Sequence, residues 1–564
     1  MRAGSSLLLL IPGLLMHACS GDSSAVFADR AAASGLDFVH FNGMSGELYF
    51  VEMMGSGAGM FDYDNDGDLD LYLVQGHLLG TSETLLPPLQ APLIIDRLYR
   101  NDSDASGLRF VDVTEASGIE AGAYGMGVAC ADIDNDGNTD LYLSNFGANQ
   151  LWRNLGDGTF VEITEKSGTG DARWTVSASF LDYDRDGLLD LYAGNYVNFR
   201  FATHKPCRSS TSARDYCSPL VYRSEADSLY RNRGDGVFEN VSVASGINRV
   251  FGGALGVSTA DFDNDGWIDI YVANDGVPNQ LWMNDGAGGF SDEAPMAGVA
   301  VNMDGRSEAS MGVDAGDFDD DGDEDLFMTH LSRETNTLYV NDGSGWFEDR
   351  SVQFGLAGSS LEYTGFGTAW VDFDNDGDLD LLSVNGAVTH VQEQVDAGEE
   401  LPLRQQNQLF ENTGKGSFVE ISASAGPAFS VAAISRGAAI GDVDNDGDVD
   451  VLVSNNNGSP NLLINNVGQN NNWIGLRLLR PDGRDDYGAR AARVRGDEML
   501  SWRRVRSDGS YASCNDPRIL IGLGENREQT DVIVVWSDGS RDLWRNLMPA
   551  RYHTLVRGAG DSQE

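Results

Sequence analysis

Apolar residues in this chain come in short runs rather than at helical spacing. Leu141–Leu143, Ile270–Ala273 and Val451–Ser454 have the length of strands, and long helical periodicity is absent. Asp-Gly and Asn-Gly pairs separate the runs, and these are turn-forming chemistry. The pattern predicts an all-β chain of many short antiparallel strands.

The strands recur in register with a motif. Asp-x-Asp-x-Asp-Gly-x-x-Asp begins at Asp62, Asp132, Asp182, Asp261, Asp317, Asp372 and Asp442, and all seven copies keep four aspartates and the glycine. Small residues precede each loop by five positions: Gly57, Gly127, Ser177, Gly256, Gly312, Gly367 and Gly437. An apolar strand follows each loop. A third strand comes next, such as Gln150–Asn154 or Gln408–Asn412, then a Gly-rich turn and a fourth, such as Thr159–Ile163 or Ser417–Ile421. Four strands per unit, repeated seven times, predict a seven-bladed β-propeller with the small-residue strand innermost. A linear β-solenoid is the alternative. The last unit has a third strand, Asn461–Asn465, but no matching fourth, whereas Val26–Leu36 resembles the fourth-strand segment Phe110–Ile119. The N-terminal strand is therefore expected to complete the last blade and close a ring, which removes open sheet edges.

Carboxylates at positions 1, 3 and 5, glycine at 6 and a carbonyl at 7 are the donor set of a hard cation. With no glutamate at position 12, the aspartate at 9 is expected to close the shell. The predicted ligand sets are Asp62, Asp64, Asp66 and Asp70; Asp132, Asp134, Asp136 and Asp140; Asp182, Asp184, Asp186 and Asp190; Asp261, Asp263, Asp265 and Asp269; Asp317, Asp319, Asp321 and Asp325; Asp372, Asp374, Asp376 and Asp380; and Asp442, Asp444, Asp446 and Asp450. The expected ion is calcium, one per blade, because calcium tolerates an irregular cage of oxygens better than magnesium does. Repetition in every blade marks it as structural rather than catalytic.

Composition sharpens this picture. The chain has 564 residues, 38 Lys+Arg and 87 Asp+Glu, a net charge of −49, which disfavours nucleic acid. The acidity is uneven: residues 470–564 carry 15 Arg against 14 Asp+Glu. Arg2 and the apolar run Leu7–Met16, ahead of Ala18-Cys19-Ser20, read as an export signal over 1–19 with Cys19 as a candidate lipidation site. Plain signal cleavage after Ser20 is the alternative. The apolar run is too short to span a membrane. The chain is thus expected to be exported, as a bacterial envelope lipoprotein or a secreted protein. Cys207 and Cys217, ten positions apart in a polar loop, are candidates for a disulfide. Cys130 reads as core, and Cys514 has no assignment.

The repeats resemble FG-GAP/VCBS repeats, related to those of integrin α-subunit propellers. Gly488-Ala489-Arg490, Ser507–Tyr511, Ile521–Gly524 and Val534–Gly539 resemble the ASPIC/UnbV domain. Together they resemble the architecture of the cartilage acidic protein family and its bacterial relatives. The resemblance implies a propeller over 25–468, a small β-rich domain over 469–558, calcium binding, secretion and adhesion-like roles. By the same likeness a protein or glycan partner is expected on the face opposite the loops. Long connections lie there at Gly76–Asp96, Asn198–Asp227 and Gly386–Asn407. Gln75, Asn145, Asn195, Asn274, His330, Asn385 and Asn455 stand at one equivalent position beside them. They cap turns or, alternatively, form a polar ring for a ligand. No nucleophile elbow, phosphate loop or His/Cys metal cluster is present. A non-enzymatic binding protein is therefore expected, with a polysaccharide lyase or hydrolase, or an envelope assembly factor, as the alternatives.

Overall fold

The computed structural model describes residues 25–563 apart from 81–83, 86–93, 210–211 and 415–416. The expected signal and Cys19 lie outside the described residues.

Each aspartate-rich loop joins the first two strands of a four-stranded antiparallel sheet, and the described residues form seven such sheets. The second blade is typical, with strands Gly125–Ala131, Asp140–Asn145, Gln150–Asn154 and Phe160–Glu162. Alternation sends its side chains to two different neighbours. Leu141, Leu143 and Trp152 pack with Phe61 and Tyr72 of the first blade. Tyr142 and Leu151 pack with Phe180 and Leu191 of the third. Both faces of each sheet are covered, which is why the strands read as apolar runs rather than as alternating ones. Burying each such side chain contributes about 1.5–3 kcal/mol.

The ring closes as expected. Phe27–Asp29 pairs antiparallel with Asn461–Asn465 in the last blade, Phe27 opposite Asn465. Ala439 and Leu452 of that blade share one core with Ala58 and Leu71 of the first.

From Asn472 the chain builds two further sheets of three and five strands around Ile474, Leu476, Val532, Val534 and Trp536. Between its strands Glu498–Arg504 and Ile519–Gly524, residues 505–518 leave this domain and enter the propeller axis. There the backbone is held by the innermost strands. Ser510 accepts from the Val313 N–H at 3.1 Å, and Ala512 from that of Val128 at 3.1 Å. Cys514 donates to the Ala58 carbonyl at 2.9 Å and accepts from the Met60 N–H at 3.0 Å. This plug explains the small residues of the inner strands. A Cβ on Gly57 would stand 1.9 Å from the Ala512 carbonyl oxygen, too close for any side chain. Tyr511 at the tip is fully buried, donates to the Met54 carbonyl at 2.6 Å and meets Phe366 edge-on.

No helix of the described residues is long and apolar enough to cross a membrane.

Candidate metal centres and the domain that covers them

The loops are built alike. Position 1 caps the turn: Asp62 accepts from the N–H groups of Asp66 and Gly67 at 3.2 and 3.0 Å, and Asp442 from those of Asp446 and Gly447 at 3.0 and 2.9 Å. Position 5 accepts from position 7, as Asp66 does from the Asp68 N–H at 3.0 Å. The sharp reversal needs positive φ at position 6, where Gly67 has 96° and Gly377 104°. It needs it at position 4 too, where Asn65 has 61°.

These bonds gather the carboxylates. Asp62, Asp64 and Asp66 offer oxygens within 4.8 Å of one another, as do Asp132, Asp134 and Asp136, and Asp261, Asp263 and Asp265. In two other loops the ninth-position residue joins instead, giving Asp182, Asp184 and Asp190, and Asp317, Asp319 and Asp325. Single buried oxygens of Asp64, Asp134, Asp182, Asp261 and Asp372 have no hydrogen-bond partner. Buried anionic oxygens left bare in a cluster fit a cation, and an all-carboxylate set fits a hard one. Burial, reinforced by the neighbouring aspartates and opposed by nearby arginines and hydrogen bonds, pushes these acids up: Asp317 to about 8, Asp372 and Asp442 to about 7, Asp182 and Asp261 to about 6.

The ninth position does more than the sequence reading assigned to it. Asp70 accepts from the Tyr63 N–H at 2.9 Å and from the third-strand Asn101 N–H at 2.8 Å, and Asp140, Asp269 and Asp450 repeat the arrangement. It ties the loop to the third strand before any cation is considered. In the second and third blades, Arg153 and Arg231 also pair with the carboxylates at positions 3 and 5.

Two sets of asparagines went unnoticed in the sequence. Third-strand asparagines reach the loop of the preceding blade: Asn154 donates to the Tyr63 carbonyl at 2.7 Å and Asn284 to that of Tyr183 at 2.9 Å. Position-4 asparagines reach the following loop, as Asn65 does to Gly137 at 3.1 Å and Asn375 to Gly447 at 2.9 Å. The repetition of Asn at both positions was the available signal. The loops form a linked collar rather than independent sites.

The C-terminal domain sits on this collar and supplies the missing positive charge. Arg480 and Arg484 donate to the Gly187 carbonyl at 2.9 and 3.4 Å, Arg490 to Gly322 at 3.1 Å and Arg503 to Gly377 at 3.3 Å. Tyr552 donates to Asp442 at 2.8 Å, and Arg504 grips Glu324 at 2.8 and 3.0 Å. Over the first two loops it leaves a cleft of about 320 Å³, lined by Asp62, Asp132, Tyr487, Arg477 and Tyr552 among others.

The opposite face is filled. Phe50, Trp174, Tyr196, Phe199 and Tyr216 pack into one core with Tyr511. The seven equivalent polar residues bond within the protein. Asn145, Asn195, Asn274, Asn385 and Asn455 donate to backbone carbonyls three to thirty-one residues on, at 2.8–2.9 Å. Gln75 accepts from the Phe41 N–H, and His330 is 1% exposed. All seven are buried; Asn145, Asn274 and Asn455 cap turns, while Gln75, Asn195, His330 and Asn385 bond more distant segments. Cys207 and Cys217 are joined in a disulfide, and His390 faces Asp215 at 3.3 Å.

The FG-GAP-like repeat pattern matches residues 62–143, 132–193, 220–272, 261–328, 317–383 and 401–453. The chain belongs to the FG-GAP-like repeat family. Its residues 480–562 match the ASPIC and UnbV family. Cartilage acidic protein 1 of Homo sapiens is 26% identical over 282 residues, 49% of this chain and 40% of that protein. The Mus musculus protein is 26% identical over 317 residues, 55% of this chain and 45% of that one. This FG-GAP chain therefore aligns with less than half the length of these relatives. A solved Agrocybe aegerita lectin structure, described as recognising non-reducing terminal N-acetylglucosamine, has 14% identity and a TM-score of 0.38, covering 66% of this chain and 88% of that one.

Proposed function

We propose that this FG-GAP protein is an exported calcium-binding scaffold that holds a protein or glycan partner without catalysing a reaction. The bare buried oxygens of Asp64, Asp134, Asp182, Asp261 and Asp372 carry the calcium part of this reading. In each loop the carboxylates at positions 1, 3 and 5 and the carbonyl at 7 would hold the ion, with the ninth aspartate adding an oxygen where it faces inward. Calcium there neutralises the cluster and stiffens the collar. Extracellular calcium modules have Kd values of roughly 10⁻⁴–10⁻³ M, and calcium about tenfold above Kd adds about 1.4 kcal/mol per site. The Cys207–Cys217 disulfide suits export.

The partner face is the one opposite the loops, since the C-terminal domain occupies the loop face. The long connections there present Leu220 at 63% exposure, and Phe251 nearby at 57%. Long connections on a rigid scaffold are where binding residues concentrate. Calorimetric titration with calcium tests the first part; heat-free titration of a folded, metal-stripped chain would sink it. Screens of glycans and envelope proteins, with and without calcium, test the second. Binding that survives deletion of residues 205–218 and shortening of 391–403 would move the partner site elsewhere.

A further inference from the structure

Cys130 and Cys514 are the two free cysteines of the described residues, and both are buried. They come from opposite sides of the domain junction. Cys130 lies on the innermost strand of the second blade, Gly125–Ala131, and Cys514 lies on the plug. The plug backbone brings them together. Ala512 accepts from Val128, two residues before Cys130, while Cys514 pairs with Ala58 and Met60 on the adjacent first blade. Between them stands Gly59, whose missing Cβ would lie 3.6 Å from both the Cys130 Sγ and the Cys514 Cβ. With no side chain on Gly59, nothing of that residue separates the Cys130 sulfur from the Cys514 Cβ. Among the described residues the Cys514 thiol otherwise meets only the Asn515 carbonyl, at 3.9 Å. Both belong to one core with Phe61, Val128 and Leu141, and both line the 320 Å³ cleft under the C-terminal domain.

We propose that Cys130 and Cys514 form a second disulfide, which ties the C-terminal domain covalently to the propeller. The cleft supplies access. The oxidant is a disulfide donor, either a thiol-disulfide oxidoreductase or a small-molecule disulfide. One cysteine thiolate attacks the donor disulfide, forms a mixed disulfide and expels a donor thiolate. The second cysteine thiolate then attacks the mixed disulfide at the protein sulfur and expels the other donor thiolate. The two cysteines lose two protons and two electrons in all, and the donor disulfide becomes two thiols. Both cysteines are buried, so exchange is slow once the plug is seated. The same burial shields the finished bond from reductant. Cys207–Cys217 closes a loop of ten residues, whereas this bond would close one of about 380, the kind that restricts an unfolded chain most. The proposal does not depend on calcium occupying the loops.

Peptide mapping decides it. The full chain is secreted into an oxidising compartment, and a second sample is incubated with oxidised glutathione. Both are denatured in alkylating reagent and digested without reduction. The expected product is a cross-linked peptide pair carrying Cys130 and Cys514, lighter than the two separate peptides by two hydrogens. Recovery of both cysteines alkylated, or each carrying glutathione, in both samples overturns the proposal. A variant lacking the other bridge, Cys207→Ser with Cys217→Ser, gives an independent readout. Unfolded in denaturant with dithiothreitol and refolded in its presence, it should melt about 5 °C or more below the unreduced variant. An unchanged Tm would also overturn the proposal.

Discussion

Asn101 donates its side-chain N–H to the carbonyl of Val443 at 2.9 Å, and this bond hooks the first blade to the last. The same amide group reaches the Leu69 carbonyl of its own loop at 3.0 Å. Asn412 at the equivalent place donates only to its own loop, at Leu379, 3.2 Å. The two positions therefore separate ring closure from loop support. Asn101→Ala strips a donor from two buried carbonyls and should destabilise the chain by about 1–3 kcal/mol. Asn412→Ala should do less. Urea denaturation of both variants checks this, and equal losses would mean that the cross-blade bond adds nothing.

Calcium removal should loosen the C-terminal domain before the propeller. Its arginines bind the carbonyls of Gly187, Gly322 and Gly377, all at position 6 of the loops, so they hold a loop shape that a bound cation would stabilise. With EDTA, trypsin should cut first within the plug, at Arg506 or Arg518, and Tm should fall. Arg506 is secured by Asp314 at 2.5 Å and Arg518 by Asp516 at 2.8 Å while the plug is seated. Protection of these sites in EDTA, or an unchanged Tm, would count against the gating of the plug by calcium.

The metal-free protein should lose stability as pH rises. Burial holds Asp317 at about 8, Asp372 at about 7 and Asp182 at about 6, all above the ordinary aspartate value of 3.8. The folded state therefore binds these protons more tightly than the unfolded state does. That advantage is complete below about pH 4 and disappears as pH climbs through 6 to 8. Calcium competes with the same protons, so its apparent affinity should rise over the same window. Thermal melts from pH 5 to 8.5, in EDTA and in calcium, test both slopes. Parallel pH profiles in the two buffers would show that the loop carboxylates are not the linked groups.

Much of this architecture was legible because it repeats. Seven copies of one loop set the strand order, and the missing fourth strand after Asn461–Asn465 pointed to Phe27–Asp29. The asparagine hooks were visible as repeated letters but not as contacts, since Asn101 and Val443 lie 342 positions apart. The plug was illegible for a different reason. Residues 505–518 have no periodicity of their own, and their bonds go to inner strands of several different blades. The uneven charge was a clue to it. The balanced C-terminal region holds the arginines that rest on the acidic collar, a pairing that sequence could suggest only once the two were known to touch.

Asp508 is where that pairing is most exposed to test. Its Oδ2 accepts from Ser179 Oγ at 3.0 Å, the Thr259 N–H at 2.8 Å and Thr259 Oγ1 at 2.6 Å. Arg506 lies 3.7 Å away and also holds Asp314 at 2.5 Å. One carboxylate on the plug thus gathers donors from the third and fourth blades. Asp508→Ala leaves the buried Thr259 N–H without its partner, a loss of about 1–3 kcal/mol, while Arg506 keeps Asp314. Asp508→Asn keeps the acceptor oxygen and should lose less. The damage should fall on docking more than on the blades. Hydrogen exchange would then quicken in residues 505–518 and in the inner strands of those two blades, while the outer strands stay protected. Uniform loss of protection over all seven blades would instead make the plug an integral part of the propeller core.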